Sequence, residues 1–270
     1  LGLDKNLSER YLSYLNDLSE GSLGSSFYTK VPVLESINQY LFDTFELIIM
    51  SLIIALILGF VFGSLGAYFR GKFPDKISNL ILSVIQAVPD FFLGLLLIYF
   101  LFFKLQLVPA PVGRLGLLDL PPEEVTGGLL IDSIIAGNWD TFKIGLKHAI
   151  LPSITLGIFY SSYFGRTTRN VLGNALNSNQ VEFAKALGLS KLRVFLYALV
   201  DARTPIITYI AILFAGLFGA SAIIETVFAW NGIGGWAIDK ILMLDIPAIQ
   251  GFILFACLLY TSPSPRDNTT

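Results

Sequence analysis

The 270 residues are 54% hydrophobic and only 14% charged, with a mean hydropathy of +0.69. A soluble domain carries about 25% charged residues, so long apolar runs with this charge deficit describe a polytopic membrane protein. The formal net charge of −2 gives no suggestion of nucleic acid, the lone Cys257 excludes an internal disulfide, and the lone His148 excludes a His/Cys metal cluster.

In chain order, residues 1–43 are rich in acids (Asp4, Glu9, Asp17, Glu20, Glu35, Asp43) and contain no signal-peptide pattern. The first apolar run, 47–69, has no charged residue and is long enough to cross a hydrocarbon core of roughly 30 Å. A basic segment follows with Arg70, Lys72 and Lys76, then a second run, 77–103, in which Asp90 is the one acid. The third, fourth and fifth runs are 149–165, 204–224 and 246–260. Backbone groups in lipid must be satisfied within their own segment, so the expected fold is all-α, with about five transmembrane helices. Pro89 and Pro205 are expected to kink or break theirs. Small residues recur every fourth position at Gly59, Gly63 and Ala67 and again at Ala211, Ala215 and Gly219, a spacing that lets helix backbones approach within the chain or at a subunit interface.

Basic residues orient the spans. Residues 70–76 and 166–203, the latter with Arg166, Arg169, Lys185, Lys191, Arg193 and Arg203, are expected on the cytoplasmic side. The segments 104–148 and 225–245 are poorer in basic residues for their length and are expected outside, as is the stretch before the first run. An external N-terminal stretch needs a span or signal upstream of Leu1. The polar ending TSPSPRDNTT, 261–270, reads as a foreign or frame-shifted tail. The expected division is thus an external segment, 1–43, a transmembrane domain, 44–260, and that tail.

The longest cytoplasmic loop contains NQVEFAKALGLSKLRV. Asn179 is placed to cap a helix with Glu182 three residues on, Gly188 to end it, and Ser190 to start another. Val181, Ala184 and Leu187 share one face at helical spacing. A helix of about two turns is not stable alone, so it docks on its own bundle, on the lipid surface or on a cytoplasmic partner.

This stretch resembles the cytoplasmic-loop signature of ABC-importer permeases, Glu-Ala-Ala, three residues, Gly, filled here by Glu182, Ala184 and Gly188; Phe183 departs from the middle alanine. AKALGLS (184–190) is similar to the form found in the dipeptide/oligopeptide/nickel branch. The resemblance runs from residue 1 to about 260, through LGLDKNLSERYLSYL (1–15), VIQAVPDFFLGLLLI (84–98), LKHAILPSITL (146–156) and ETVFAWNGIGGWAIDKILMLDIPAIQG (225–251). The family's first span and the end of its last lie outside that range. Asn231 stands where proline is usual, and Gly235 where a basic residue is common.

The resemblance implies the membrane subunit of an importer for dipeptides, oligopeptides, nickel or a related solute in a bacterial or archaeal cytoplasmic (inner) membrane. It implies two permease chains, cytoplasmic ATPases that bind the ATP and magnesium, and an external solute-binding protein; no cofactor is expected on this chain. It carries the ATPase contact onto Val181, Glu182, Ala184, Lys185, Ala186, Leu187, Gly188, Leu189 and Ser190. Gln86, Pro89, Asp90, Glu225, Phe228 and Trp230 become pathway or gating candidates. No catalytic or metal-binding residue is expected.

The chain has no G-x-x-x-x-G-K-[ST] phosphate loop, so ATP chemistry must come from a partner. Residues 232–237 formally fit G-x-G-x-x-A, but in an external loop with no preceding strand. Two rivals are an ion-coupled carrier using Asp90 and an intramembrane serine protease pairing Ser221 with His148. Apart from that second role, His148 reads as a hydrogen-bonding anchor at the external interface.

Overall fold

The computed structural model describes residues 6–116 and 119–260, and the expected tail, 261–270, lies outside them. The described elements are α1 (Leu7–Ser19), α2 (Val33–Tyr68), α3 (Phe73–Ala87), α4 (Asp90–Leu97) with a π-helical continuation (Ile98–Lys104), α5 (Leu129–Ile135), α6 (Trp139–Ala175), α7 (Asn179–Ala186), α8 (Lys191–Val227), α9 (Ile233–Leu242) and α10 (Ile246–Tyr260). The all-α expectation holds. By length and composition α2, α6 and α8 can each cross a membrane, and the α3/α4 pair can count as a fourth, broken span.

The helices outrun the apolar segments that announced them. At 36 residues, α2 is about 54 Å long at 1.5 Å per residue, well beyond the hydrocarbon thickness. It begins at Val33 and runs straight through the expected boundary at residue 43. The 77–103 run is not one rod: α3 and α4 are bent by 97° across Val88 and Pro89. Proline has no N–H to continue the ladder and pushes its predecessor into extended backbone, and Val88 has φ −95° and ψ 129°. Pro205, expected to act alike, does not interrupt α8, and neither does Pro152 interrupt α6. The short α10 has 15 residues, about 22 Å of helix.

The bundle is built around α2 against α6. A Cβ on Gly59 would stand 2.9 Å from the Phe164 ring, and one on Gly63 would stand 2.6 Å from the Gly165 carbonyl oxygen. A Cβ on Gly157 of α6 would meet Ile54 at 2.6 Å. Lipid tails are as apolar as leucine, so such close packing, rather than water exclusion, draws spans together. The Gly59 row is therefore intramolecular, with Gly66 as an added member, whereas Ala211 and Gly219 of the second row are exposed on α8.

Gly66 has a further consequence. A Cβ there would lie 2.9 Å from Cδ of Arg169, so the bare backbone gives the arginine its route across α2. Arg169 reaches Asp75 at the start of α3 with Nε–Oδ1 at 2.6 Å and Nη2–Oδ2 at 3.0 Å. Asp75 is buried and also accepts from the Gly71 amide at 2.8 Å. One bidentate pair thus ties α3 to α6 across the end of α2.

Gly63→Ala is expected to destabilise the protein by about 1–3 kcal/mol, because its methyl group meets backbone that cannot rotate away. Denaturant unfolding in detergent micelles, compared with wild type, measures this.

Candidate functional site

Two clusters of the expected residues form at opposite ends of the bundle. The first is α7 and its corner. Ser178, not Asn179, is the N-cap: its extended backbone turns its Oγ to accept from the Val181 amide at 3.4 Å, and Asn179 is already helical. Glu182 therefore falls one position too late for a reciprocal capping box. Gly188 has φ +74° and a Cβ there would meet nothing within 4 Å, so glycine is required by backbone conformation alone. The Gly188 amide donates to Lys185 O at 3.0 Å and the Leu189 amide to Ala184 O at 3.3 Å, closing the helix end. Ser190 then begins α8 with extended backbone.

The face drawn from spacing divides. Val181 and Ala184 are 1% and 5% exposed, packed with Leu172, Ala175, Val194 and Ala198. Leu187 is 64% exposed: its amide still donates to Phe183 O at 3.0 Å, so it continues the helix and falls four residues on from Phe183, on the outer face. Phe183, the residue foreign to the signature, is 65% exposed and points away from the bundle. Glu182, Lys185, Ala186 and Ser190 are exposed and Leu189 is half-buried. The helix is thus fastened to its own bundle on one side and presents an apolar pair on the other.

The second cluster joins the end of α8 to α2 and α9. Glu225 is fully buried; its Oε1 accepts from Thr44 Oγ1 at 2.6 Å and its Oε2 from the Gly235 amide at 2.7 Å. Thr44 Oγ1 in turn accepts from the Ile233 amide at 2.9 Å. Trp230 donates from Nε1 to Asp43 O at 3.0 Å, and the Asp43 carboxylate pairs with Arg114. Phe228 is buried, and a Cβ on Gly94 of α4 would stand 3.2 Å from its ring. Glu225, Phe228 and Trp230 accordingly come together as a clasp holding α2, α4, α8 and α9. Gln86 and Asp90 sit half-buried and Pro89 exposed at the α3/α4 break, with Asp90 Oδ1 accepting from the Phe91 amide at 2.7 Å.

Sequence reading missed most of this polar framework. Asp90 is not the deepest acid: Asp43 at 1%, Glu46 at 6% and Glu225 at 0% are more buried, all on helices that extend past their apolar runs. Glu46 Oε1 accepts from the Leu130 and Ile131 amides at 2.9 and 3.0 Å, docking α5 on α2. Asp132 accepts from the Val125, Thr126 and Gly127 amides and from Thr126 Oγ1. Burial pushes its carboxyl up, but these hydrogen bonds outweigh that and hold it below the usual carboxylate range. Asp245 accepts from Ser26 Oγ at 2.5 Å and the Phe27 amide at 3.0 Å, strapping the chain before α2 to the α9–α10 corner.

The rival chemistries find little geometry. Ser221 is buried and donates to Phe218 O at 3.0 Å rather than to His148. The glycines of 232–237 serve packing: a Cβ on Gly234 would stand 2.5 Å from Ala222 Cα, and Gly232 lies against Thr44 and Glu225. Gly232 is the N-cap and residues 233–237 are already the first turns of α9.

The chain matches the family model described as "Binding-protein-dependent transport system inner membrane component" over residues 55–264. It is 35% identical to the "Probable D,D-dipeptide transport system permease protein DdpB" of Escherichia coli K12, covering 96% of this chain and 76% of that one. It is also 35% identical to the di/tripeptide transport system permease protein DppB of Pseudomonas aeruginosa UCBPP-PA14, covering 96% and 77%. The dipeptide transport system permease protein DppB of Escherichia coli K12 is 32% identical with the same coverage. Among solved structures, an amino acid ABC transporter crystallised with histidines matches with a TM-score of 0.53 at 15% identity, covering 84% of this chain and 87% of that one, which shows a shared fold.

Glu225→Ala is expected to strip Thr44 and the Gly235 amide of a buried acceptor, costing about 1–3 kcal/mol for each group left unmet. Faster limited proteolysis between α8 and α9, with α7 accessibility unchanged, is the measurement that checks it.

Proposed function

The chain belongs to the binding-protein-dependent transport system inner membrane component family and is a permease of an ATP-binding-cassette importer; from that premise we propose that its cargo is a dipeptide or short oligopeptide. The relatives named for dipeptide and di/tripeptide transport support this reading of the cargo. The working assembly is two permeases in a bacterial or archaeal cytoplasmic membrane, with ATPases inside and a solute-binding protein outside. ATP and magnesium belong to the ATPases.

The observation that carries the mechanism is the two-sided exposure of α7. Val181 and Ala184 are locked into the bundle while Phe183 and Leu187 stand in solvent. Fully burying one such side chain is worth about 1.5–3 kcal/mol, so a groove that covers both gains substantial binding from two residues. We assign that groove to the ATPase. Because α7 is fixed to the bundle through its other face, a displacement imposed on Phe183 and Leu187 is delivered to Leu172, Ala175 and Val194 rather than absorbed by a loose loop. The Gly188 corner passes it to the start of α8, a helix of 37 residues. At the far end of α8 is the Glu225 clasp on α2 and α9.

This makes Glu225, Phe228 and Trp230 part of an external gate that moves as a unit, and the α3/α4 break at Pro89 with Gln86 and Asp90 a bend in the pathway wall. Two cavities open at the clasp, one of about 290 Å³ beside Glu225 and Trp236 and one of about 240 Å³ beside Asp43 and Arg114. They supply polar surface where a delivered peptide first meets the permease. The exposed row with Ala211 and Gly219 is suited to close approach by the second permease.

Phe183→Asp and Leu187→Asp are expected to abolish co-purification of the ATPase and cargo-stimulated ATP hydrolysis while leaving membrane insertion and thermal stability near wild type. Val181→Asp, by contrast, places a charge in the bundle and is expected to lower stability. If the two exposed substitutions left ATPase association and transport at wild-type levels, the coupling role of α7 would be wrong.

A further inference from the structure

The corner between α7 and α8 closes over a cavity of about 510 Å³, whose lining shares Lys185 and Leu189 with the expected ATPase contact but is otherwise outside it. Its floor is apolar, with Ala67, Leu176, Leu189 and Val194. Its cations are Arg70 from the end of α2, Lys185 from α7 and Lys191 from the first turn of α8, and no acidic residue lines it. None of the three has a carboxylate within ion-pair distance: the ion pairs among the described residues are Asp43–Arg114, Asp140–Lys143 and Asp75–Arg169. Asp75 does act on Arg70 through space, but its oxygens are already engaged by Arg169 and the Gly71 amide.

The direct hydrogen-bond partners of Lys185 and Arg70 at the cavity are neutral. Lys185 Nζ donates to Leu176 O at 3.2 Å, and Arg70 Nη1 makes a long contact of 3.5 Å to Asn174 Oδ1. Three like charges around one hollow repel each other, and an anion between them removes that cost. The cavity also lies where the apolar part of α2 ends, with Tyr68 at its edge and 43% exposed, an aromatic at the level expected of a headgroup. A basic pocket between spans at this depth has the chemistry of a phosphate-headgroup site.

We propose that this cavity binds the phosphate of an anionic phospholipid headgroup of the cytoplasmic leaflet, with Arg70 and Lys191 as its ligands and Lys185 closing it from α7. The side of the membrane rests on the reading of α7 as the ATPase-coupling helix. The apolar floor suits the glycerol and first methylenes of a lipid, which inorganic phosphate lacks. An occupied site ties the end of α2 to the α7–α8 corner, so anionic lipid would brace the element through which coupling runs.

The test uses the permease purified with its ATPase, supplied with phosphatidylglycerol or phosphatidylcholine and read by native mass spectrometry, with inorganic phosphate titrated in parallel. Wild type is expected to retain phosphatidylglycerol over phosphatidylcholine. The double variant Arg70→Gln/Lys191→Gln is expected to weaken that retention about tenfold or more, two cations having been removed. Lys191→Arg should keep it, and Lys72→Gln, a basic residue outside the cavity, should not change it. Equal retention of both lipids by wild type, or unchanged retention by the double variant, overturns the proposal. Saturable phosphate binding that the double variant loses, with no lipid preference, keeps the anion site but overturns the lipid as its source. Loss of the ATPase from the double variant with lipid retention intact overturns it in favour of a protein contact. Phe183→Asp separates the two readings: lipid retention should persist in it when the ATPase is lost.

Discussion

Gly63 lies so close to the carbonyl of Gly165 that no side chain fits at that crossing of α2 and α6, and the remaining helices pack around this pair. In a bilayer the backbones themselves must supply the attraction between spans, since exposing leucine to lipid costs nothing. Glycine is a poor helix former, by about 1 kcal/mol against alanine, yet several are spent along this line. The return is geometric. With the two long helices nearly in backbone contact, Arg169 can cross to Asp75 at one end, and Thr44 of α2 can reach Glu225 of α8 at the other.

Those two ends are built differently. The end with α7 is joined by one bidentate ion pair and a small apolar cluster, and leaves Phe183, Leu187 and three cations exposed around a hollow. The other end is a web of buried acceptors, in which Asp43, Glu46, Asp132, Glu225 and Asp245 each take protein donors from a different segment. An unpaired buried carboxylate is expensive, and each of these acids is worth burying only while the segment it holds stays in place. The web therefore moves as a unit or comes apart, which is a mechanical property suited to a gate. The open end is suited to receiving partners.

Legibility in the sequence followed the physics of each signal. Apolar runs are local and long, so the helical type of the crossing segments could be read from them, as could the break at Pro89, where the missing amide and the extended Val88 act within two residues; their number could not, since five runs were marked and three helices, or four with the bent α3/α4 pair, are long and apolar enough to cross. Pro205 carries the same local signal yet leaves α8 continuous. The short helix 179–186 was visible through its caps, but Ser178 and Asn179 are both capping residues, and spacing alone could not separate them. Spacing groups Leu187 with Val181 and Ala184, but it stands equally close to Phe183 around the helix, and only packing shows that the bundle covers the first two and leaves Leu187 outside.

The sequence by itself determined an all-helical membrane protein, its basic loop, the two-turn helix with a glycine corner, and through its motifs the importer-permease family. Only the tertiary structure decided which face of that helix is spent on the bundle and which stays exposed, that Glu225 and Trp230 form one clasp with Thr44 and Asp43, and that Arg70, Lys185 and Lys191 line one cavity. The reason is that helix formation and membrane insertion are driven by neighbours in sequence, whereas the partner of a buried charge, 181 residues away for Thr44 and Glu225, is chosen by packing.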